Sequence, residues 1–294
     1  MKSGYVALVG RPNVGKSTLM NHIVGQKISI TSRKPQTTRH RILGIHTTEH
    51  GQIVFMDTPG MHRDEKKALN RYLNKTADTT LLGVDVVVWL IDGLNFQPYD
   101  DVIFKKLERA NLPVILVINK IDRVEDKEAM LAFLAEAQDR YPFAEIVPIS
   151  ALKKTNLDEL QTCIYNVLPE GGLIYPEDQI TDRPERFLTA EIIREKLTRR
   201  LGDELPYALT VEIERFEALP NITKIYAVIW VERSSQKNIV IGKQGEMLKK
   251  VGMDARRDIE LLLGQKVFLQ LWVKVKKGWS NNERSLQSLG FSDS

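Results

Sequence analysis

Short apolar runs alternate with helical patterns over the first 170 residues of the chain. The β-branched runs predict strands, and several are apolar almost throughout, as in parallel strands that are covered on both faces. The predicted strands are Tyr5–Val9, Ile42–Thr47, Ile53–Asp57, Asp85–Ile91, Val114–Asn119 and Glu145–Ile149. The helical stretches are Ser17–Val24, Ala68–Thr80, Tyr99–Arg109, Lys127–Arg140 and Leu157–Leu168. This alternation predicts an α/β fold with a doubly wound, mostly parallel sheet.

The alternation ends at PEGGLIYPEDQITDRP, which runs from Pro169 to Pro184. We interpret residues 171–184 as a linker, because prolines and glycines punctuate a polar stretch there. Residues 185–294 then have a different order, in which a helix precedes two strands, two helical segments and a final strand. These elements are predicted at Glu185–Leu201, Ala208–Phe216, Lys224–Val231, a helical segment ending in VIGKQG, a long helix to Leu263, and Lys266–Val275. We therefore expect a first domain at 1–170 and a smaller α+β domain at 185–294.

Composition narrows the class of protein. A chain of 294 residues with 43% hydrophobic residues can bury two cores, which excludes disorder as its main state. Its apolar runs are far shorter than the roughly 20 residues that span a bilayer, and its start lacks the pattern of an export signal. Cys163 is the only cysteine, so an internal disulfide is impossible. We predict a cytoplasmic protein and, for want of any sign of assembly, a monomer.

The net charge of +4 is unevenly distributed along the chain. Residues 1–180 hold 22 basic and 22 acidic residues, whereas residues 181–294 hold 20 and 16. Within the second part, residues 237–277 hold ten basic and four acidic residues. Such an excess can attract a polyanion, although a solvated charged face is the simpler explanation of the charge alone. The basic excess therefore indicates a nucleic-acid partner only if a binding motif accompanies it.

The motif GRPNVGKS at residues 10–17 follows a predicted strand and opens a predicted helix, as a phosphate-binding loop requires. Its glycines allow backbone amides to surround phosphates at the positive end of the helix. Lys16 would bridge the β- and γ-phosphates, and Ser17 would place its hydroxyl on Mg²⁺. The predicted phosphate-binding residues are Gly10, Arg11, Pro12, Asn13, Val14, Gly15, Lys16, Ser17 and Thr18.

Three further elements indicate that the nucleotide is GTP. DTPG at 57–60 ends a strand, so Asp57 can hold Mg²⁺ while Thr58, Pro59 and the Gly60 backbone approach the γ-phosphate; an isolated Asp there would more simply cap a turn. In NKID at 119–122, the Asp122 carboxylate can accept a pair of hydrogen bonds that guanine donates and adenine does not. The remaining predicted base contacts are Asn119, Lys120, Ser150 and Ala151.

The basic segment SITSRKPQTTRHR separates the first two motifs. Thr38, or alternatively Thr37, is placed to bind Mg²⁺ and to order this loop only with a triphosphate; a solvated Thr-rich loop is the less favoured alternative. We predict a first switch here and a second at residues 61–67. Met61 follows DTPG where many small GTPases carry a glutamine that orients water, so we expect slow intrinsic hydrolysis accelerated from outside the chain.

Candidate catalytic groups are therefore Lys16, Thr38 and Asn13. The carbonyl of Asn13 could share a monovalent cation such as K⁺ with the phosphates, which is a hypothesis. His62 lies in the second switch, where an isolated histidine is more simply a bystander than a base. The expected cofactors are GTP or GDP with Mg²⁺, and K⁺ as this additional hypothesis.

In the second domain, VIGKQG matches the GXXG loop of KH domains, which bind four nucleotides of single-stranded nucleic acid. A plain turn between helices would explain the four-residue GXXG match taken alone. The order of helices and strands, however, is that of a bacterial type II KH fold. The predicted RNA-binding residues are Ile241, Gly242, Lys243, Gln244, Gly245, Lys249 and Lys250.

The helix after the GXXG loop has one apolar face, formed by Leu248, Val251, Ala255, Ile259 and Leu262 at spacings of three and four residues. In LWVKVKKGW, charged residues alternate with apolar ones, and Trp272 is interpreted as core rather than as a stacking platform. Trp279 and the following tail either pack back on the domain or extend an RNA contact.

GRPNVGKST, DTPG, NKID and SA, followed by VIGKQG, closely resemble the Era family of bacterial GTPases, and the likeness runs from Tyr5 to Phe291. The resemblance implies a P-loop GTPase domain and a KH domain that binds the 3′ end of 16S rRNA during assembly of the small (30S) ribosomal subunit. It also implies hydrolysis stimulated by RNA and peripheral association with the inner face of the cell membrane. Two alternatives stay open, a GTPase of tRNA modification or another RNA-maturation step, and an RNA-binding module with a structural nucleotide.

Overall fold

The computed structural model describes residues 1–32, 34, 37–59, 68–79, 81–202, 205–289 and 291. These residues form two compact units. The first contains 1–29, 38–59, 74–79 and 81–182, and the second contains 30–32, 34, 37, 68–73, 183–202, 205–289 and 291. Two short segments from the N-terminal part of the sequence thus belong to the second unit.

A six-stranded sheet forms the centre of the first unit, with the strand order β2-β3-β1-β4-β5-β6. Only β2 is antiparallel to its neighbour, and every other pair is parallel. The strands are β1 (Lys2–Val9), β2 (Ile42–Thr48), β3 (Gly51–Asp57), β4 (Val86–Asp92), β5 (Val114–Asn119) and β6 (Glu145–Pro148). Its helices are α1 (Lys16–Val24), α3 (Asp100–Ala110), α4 (Lys127–Arg140) and α5 (Leu157–Val167). Helix α2 (Ala68–Thr79) is divided, because its residues 68–73 belong to the second unit. The predicted α/β fold with a mostly parallel sheet is confirmed.

The inner strands are apolar because both of their faces are covered. All residues of β5 are buried, and Trp89 in β4 is fully enclosed within a cluster that includes Phe133 from α4. Parallel strands that end together place the loops after β1, β3 and β5 at one edge of the sheet, which is where ligands bind in such folds.

The predicted linker is tied to the first unit. Ile45 of β2 donates its backbone N–H to the Ile180 carbonyl (2.9 Å), and the Leu43 N–H donates to Asp182 (3.1 Å). The side chain of Gln52 accepts hydrogen bonds from two backbone amides of residues 174 and 175 and donates to the Tyr175 carbonyl (3.0 Å). The segment up to residue 182 therefore completes the edge of the sheet.

The second unit has a three-stranded sheet in the order β7-β8-β9 with helices against one face. Strand β8 is antiparallel to β7 and parallel to β9. The elements are α6 (Glu185–Arg200), β7 (Leu209–Leu219), β8 (Ile222–Val231), α7 (Ser234–Ile241), α8 (Glu246–Leu263), β9 (Val267–Val275) and α9 (Glu283–Ser288). This is the predicted helix–strand–strand–helix–helix–strand order of a KH domain.

Helix α8 packs as its apolar pattern predicts. Val251, Ala255 and Ile259 are fully buried against α6 and the sheet. The expectation for Trp272 is wrong, because 38% of its surface is exposed on the opposite face of the sheet. Alternation in a strand turns Trp272 away from the helices, which contact its neighbours Leu271 and Val273.

The C-terminal tail packs back on the second unit as far as it is described. Trp279 is fully buried, donates from Nε1 to the Ala208 carbonyl (3.3 Å) and stacks on Phe291. Leu69 and Leu73 of α2 belong to the same apolar cluster, so packing explains why the start of α2 belongs to this unit. Within the described ranges, no helix combines the length and hydropathy that crossing a membrane requires.

Candidate functional site

Two glycines give the loop between β1 and α1 its shape. Gly10 and Gly15 have φ angles of 149° and 111°, which residues with a Cβ rarely adopt. A Cβ on Gly10 would lie 2.4 Å from the Leu90 carbonyl oxygen, and one on Gly15 would lie 2.2 Å from Asn119 Nδ2. The loop therefore requires glycine at both positions, as predicted for a phosphate-binding loop.

Lys16 lies inside this loop. Its side chain is almost fully buried, and Nζ donates to the carbonyls of Gly10 (2.9 Å) and Arg11 (3.1 Å). Burial lowers the pKa of Lys16 to about 8, and the nearby negative charge of Asp57 opposes that shift. A phosphate group beside Nζ would favour the charged ammonium in the same way, so the loop holds a cation suited to a polyanionic ligand.

Ser17, Thr38 and Asp57, the three predicted metal ligands, converge on one point. Ser17 Oγ donates to Asp57 Oδ2 (2.6 Å) and lies 3.0 Å from Thr38 Oγ1, which is 3.4 Å from the same carboxylate oxygen. Ser29 Oγ also donates to Asp57 Oδ2 (2.7 Å). Of the two threonines considered, Thr38 points to this cluster, whereas the Thr37 hydroxyl donates to the Lys34 carbonyl (2.6 Å).

The carboxylate of Asp57 fits a hard divalent cation. It is fully buried, and its Oδ1 has no hydrogen-bond partner among the described residues. Burial raises the pKa of Asp57, whereas Lys16 and the three hydroxyls around it lower it. A buried oxygen without a partner, beside two hydroxyl oxygens, is the type of ligand set that Mg²⁺ prefers, with water completing its coordination.

Asn119 connects the phosphate loop to the predicted base pocket. Its Nδ2 donates to the Val14 carbonyl (2.7 Å), and its Oδ1 accepts from the backbone amides of Lys120 (2.8 Å) and Ala151 (2.9 Å). One buried amide at the end of β5 thus uses both of its ends to hold three loops together. Asn119 was predicted as a base contact, but its three protein partners were not predicted.

The remaining base-pocket residues follow β5 and β6. Ser150 Oγ donates to Asp122 Oδ1 (2.5 Å), which orients that carboxylate. Lys120 has a left-handed backbone (φ 67°), and its Nζ binds Asp92 Oδ2 (2.9 Å) and the Asn13 carbonyl (2.8 Å). The four motifs therefore meet at the predicted edge of the sheet.

Some predicted residues contact other groups or lie outside the described part. The Arg11 side chain pairs with Asp92 (2.9 Å) and with the buried Asp100 (3.1 Å), so only its backbone faces the loop interior. Thr58 is buried and donates to the Leu8 carbonyl (3.4 Å). Pro12, Thr18 and Pro59 are described without a polar side-chain contact. Gly60, Met61, His62 and the rest of the second switch at 61–67 lie outside the described residues.

Sequence reasoning missed Ser29, Asp92 and Asp100. Ser29 lies in the polar stretch after α1, and nothing local to it indicates a contact with Asp57. Asp92 ends β4 at the same edge as Asp57 and Asn119, which is a signal that could have identified it. Asp100 begins α3, where an acidic residue is explained equally well by the helix dipole.

The GXXG loop joins α7 to α8 in the second unit. Gly242, Gln244 and Gly245 have φ angles of 75°, 52° and 78°. A Cβ on Gly242 would lie 2.7 Å from Met247 Cβ, so the loop can turn only with glycine there. Lys243 and Gln244 are exposed at the tip, and Ile241 is half-buried behind them.

An open groove begins at this loop and runs between α8 and the edge strand β9. Its lining residues are Gly245, Leu248, Lys249, Gly252, Met253, Arg256, Leu269, Gln270 and Leu271. A Cβ on Gly252 would make an ordinary van der Waals contact with Leu271 (3.6 Å), so this position of the groove would also accept an alanine. Of the predicted RNA-binding residues, Gly245 and Lys249 line the groove, whereas Lys250 pairs with Glu246 on the helix surface (2.6 Å). An apolar floor with cations on its rim suits a single-stranded nucleic acid.

Family models match both parts of the chain. Residues 5–120 match the model described as a 50S ribosome-binding GTPase, and residues 204–280 match the KH domain model. The chain is 54% identical over 292 residues to the GTPase Era of Marinobacter nauticus, covering 99% of this chain and 96% of that protein. It is 53% identical over 294 residues to the GTPase Era of Azotobacter vinelandii, covering 100% and 98%.

Two crystal structures are similar over the full length of both chains, each with a TM-score of 0.96 and 42% identity. One is a variant of Aquifex aeolicus Era bound to GDP and AlF4⁻. The other is Era in complex with MgGDPNP and nucleotides 1506–1542 of 16S ribosomal RNA.

Proposed function

Because the chain belongs to the Era family of GTPases and hydrolyses GTP, we propose that it binds the 3′ end of 16S rRNA and acts in assembly of the 30S subunit and rRNA maturation. The observation that carries the proposal is the open groove between α8 and β9, which begins at a GXXG loop and is lined by Lys249 and Arg256. A similar chain was solved with a 16S rRNA fragment, which supports the choice of this RNA.

We propose that hydrolysis proceeds by in-line attack of water on the γ-phosphate. Lys16 and the amides of the loop before α1 hold the β- and γ-phosphates and stabilise the negative charge of the transition state. Mg²⁺, when held by Ser17, Thr38 and Asp57, would neutralise phosphate charge and orient the leaving group. Asn119 keeps the loop and the base pocket in register by hydrogen bonds to both.

The specificity for guanine is assigned to Asp122. Ser150 fixes the orientation of its carboxylate, which leaves acceptor positions for the two donors on guanine. Asp122→Asn should shift preference from GTP toward XTP, because the paired acceptor is lost. Fluorescent-nucleotide titrations with GTP and XTP measure the shift, and a variant that still prefers GTP contradicts this assignment.

A monovalent cation beside Asn13 is a further part of the proposal. The residue has a left-handed backbone (φ 66°) and lies on the exposed side of the phosphate loop. The backbone carbonyl of Asn13 accepts from Lys120 Nζ (2.8 Å), so it is the side-chain oxygen Oδ1 that could bind K⁺ together with phosphate oxygens and add positive charge near the transition state. Hydrolysis measured in potassium and in sodium at equal ionic strength tests the idea, and equal rates would remove K⁺ from the mechanism.

The proposed partner is tested by GTP hydrolysis with and without a 16S 3′-end fragment. Stimulation by this fragment, and not by tRNA or a scrambled RNA of equal length, is the expected result for a slow enzyme that RNA accelerates. Stimulation by tRNA alone would favour the tRNA-modification alternative, and absence of turnover would favour a binding module. Gly242→Asp should abolish RNA binding while sparing nucleotide affinity, and Gly264→Ala is a glycine control outside the groove.

The predicted cytoplasmic location follows the family, and no described helix could span a bilayer. A monomeric state stays a prediction, and so does peripheral association with the inner face of the membrane, which rests on the resemblance alone.

A further inference from the structure

The face of the second sheet that points away from the helices carries an aromatic cluster. In β8, Ile225, Ala227 and Ile229 are buried against the helices, so the residues between them point to the opposite face. In β9, the residues that alternate with Leu269, Leu271 and Val273 likewise point there. The two strands are paired in register, and their outward residues form one continuous surface.

Three aromatic rings are in contact on this surface, and we call them the aromatic patch: Tyr226, Phe268 and Trp272. The Tyr226 ring lies 5.8 Å from Phe268 and 6.0 Å from Trp272, and it is nearly parallel to the indole (16°). Phe268 is 44% and Trp272 is 38% exposed. Large exposed aromatic groups that already contact one another form a preformed surface for a planar ligand.

Polar and charged residues surround the aromatic patch. The Arg215 guanidinium lies 5.4 Å from the Tyr226 ring, and Gln270 separates the two β9 rings along the strand. Lys274 and Lys276 lie 5.7 and 5.8 Å from the ring of the adjacent Trp230. Arg215 and Lys274 already pair with carboxylates of the same face, so the exposed rings, which can stack on bases, are the feature that favours a nucleic acid.

The acidic residues of this face already have basic or indole partners. Glu214 pairs with Lys274 (2.6 Å), Glu212 accepts from Trp230 Nε1 (2.7 Å), and Glu217 accepts from Arg215 Nε (2.7 Å). Their negative charge is therefore partly compensated, so it opposes an approaching phosphate backbone less strongly.

Strand β9 contributes residues both to the aromatic patch and to the groove, so the two surfaces are adjacent. Leu269, Gln270 and Leu271 line the groove beside α8, and Phe268 and Trp272 are their immediate neighbours in β9. Because β9 is an edge strand of the sheet, no further strand separates the groove from the outer face. A single-stranded RNA that leaves the groove across this edge reaches the rings directly.

We propose that the aromatic patch is a second subsite for single-stranded RNA, which stacks one or two unpaired bases that flank the four nucleotides in the groove. This proposal rests on the proposed function, because it requires RNA in the groove. It adds a ligand class, unpaired bases without sequence preference, to a surface outside the GXXG region. Base stacking tolerates any sequence because every base has a π-face.

The test compares a short RNA that fills only the groove with RNAs extended by four nucleotides on the 5′ or the 3′ side. Trp272→Ala should weaken binding of one extended RNA by roughly 5- to 150-fold for one stacked base, and leave the short RNA unchanged. Trp272→Phe should retain most of the affinity and Trp272→Leu should lose it. Leu261→Ala, at an exposed position of α8, is the control and should bind both RNAs normally.

Three results would overturn the proposal. Equal losses for short and extended RNA would mean that Trp272 supports the groove instead of a flanking base. Unchanged binding of both extended RNAs by Trp272→Ala would remove the subsite, and normal binding by Trp272→Leu would indicate an apolar surface for a protein. If the unaltered protein bound none of these RNAs, the proposed function itself would fail. Circular dichroism and the unchanged RNA-free GTPase rate establish that each variant is folded.

Discussion

The pair of Arg194 and Glu191 in α6 allows a quantitative test of how the second unit is held together. Their side chains are only 3% and 7% exposed, and Arg194 donates through Nε (2.7 Å) and Nη2 (2.6 Å) to both carboxylate oxygens of Glu191. Arg194 Nη2 also donates to the carbonyl of Thr37, which belongs to the same unit. The perturbation is Arg194→Met, which keeps the aliphatic volume and removes the charge.

The expected loss follows from the burial of the partner. Removing one member of a buried pair leaves a charge that has lost its counterion, which costs about 3–5 kcal/mol. Replacing both members with apolar residues removes that penalty, so Glu191→Leu with Arg194→Met should be less destabilising than Arg194→Met alone. The double variant also lacks the hydrogen bond from Arg194 to the Thr37 carbonyl. This loss accounts for about 1.5–3 kcal/mol in both variants, because the donor is charged.

Urea denaturation of the full chain measures this cycle. Trp230, Trp272 and Trp279 lie in the second unit, so tryptophan fluorescence reports mainly on its unfolding. Arg200→Met is the matched control in the same helix, because the Arg200–Asp254 pair is about one third exposed on both sides and should contribute less than about 1 kcal/mol. The reasoning is refuted if Arg194→Met costs no more than this control, or if the double variant is as unstable as the single one.

Three further substitutions have defined outcomes. Gly15→Ala should lower GTP affinity at least tenfold in a fluorescent-nucleotide titration, because its Cβ would lie 2.2 Å from Asn119 Nδ2; normal affinity would contradict the role of this glycine. Trp279→Ala should lower the free energy of unfolding by about 3–5 kcal/mol through a cavity beside Phe291, and a loss below 1 kcal/mol would show that the tail is not anchored there. Asp126→Ala removes the cap of α4 and should cost about 1 kcal/mol in thermal denaturation, compared with Glu136→Ala on the same helix.

The nucleotide motifs were predictable because each depends on a local pattern. A phosphate loop needs glycines and a lysine at fixed spacing between a strand and a helix, and the carboxyl ends of parallel strands must meet at one edge. Asp57 and Asn119 could therefore be placed near Gly15 before any coordinates were known. The order of helices and strands was predictable for the same reason, because hydrophobic periodicity is local.

The contacts that sequence could not supply join residues far apart in the chain. Ser29 binds Asp57 across 28 positions, and Arg194 binds Thr37 across 157. No periodicity encodes such a pair, because either residue is equally plausible on a solvated surface. The predicted burial of Trp272 was wrong for another reason. Hydrophobicity alone indicates burial, whereas strand alternation decides which face a side chain occupies.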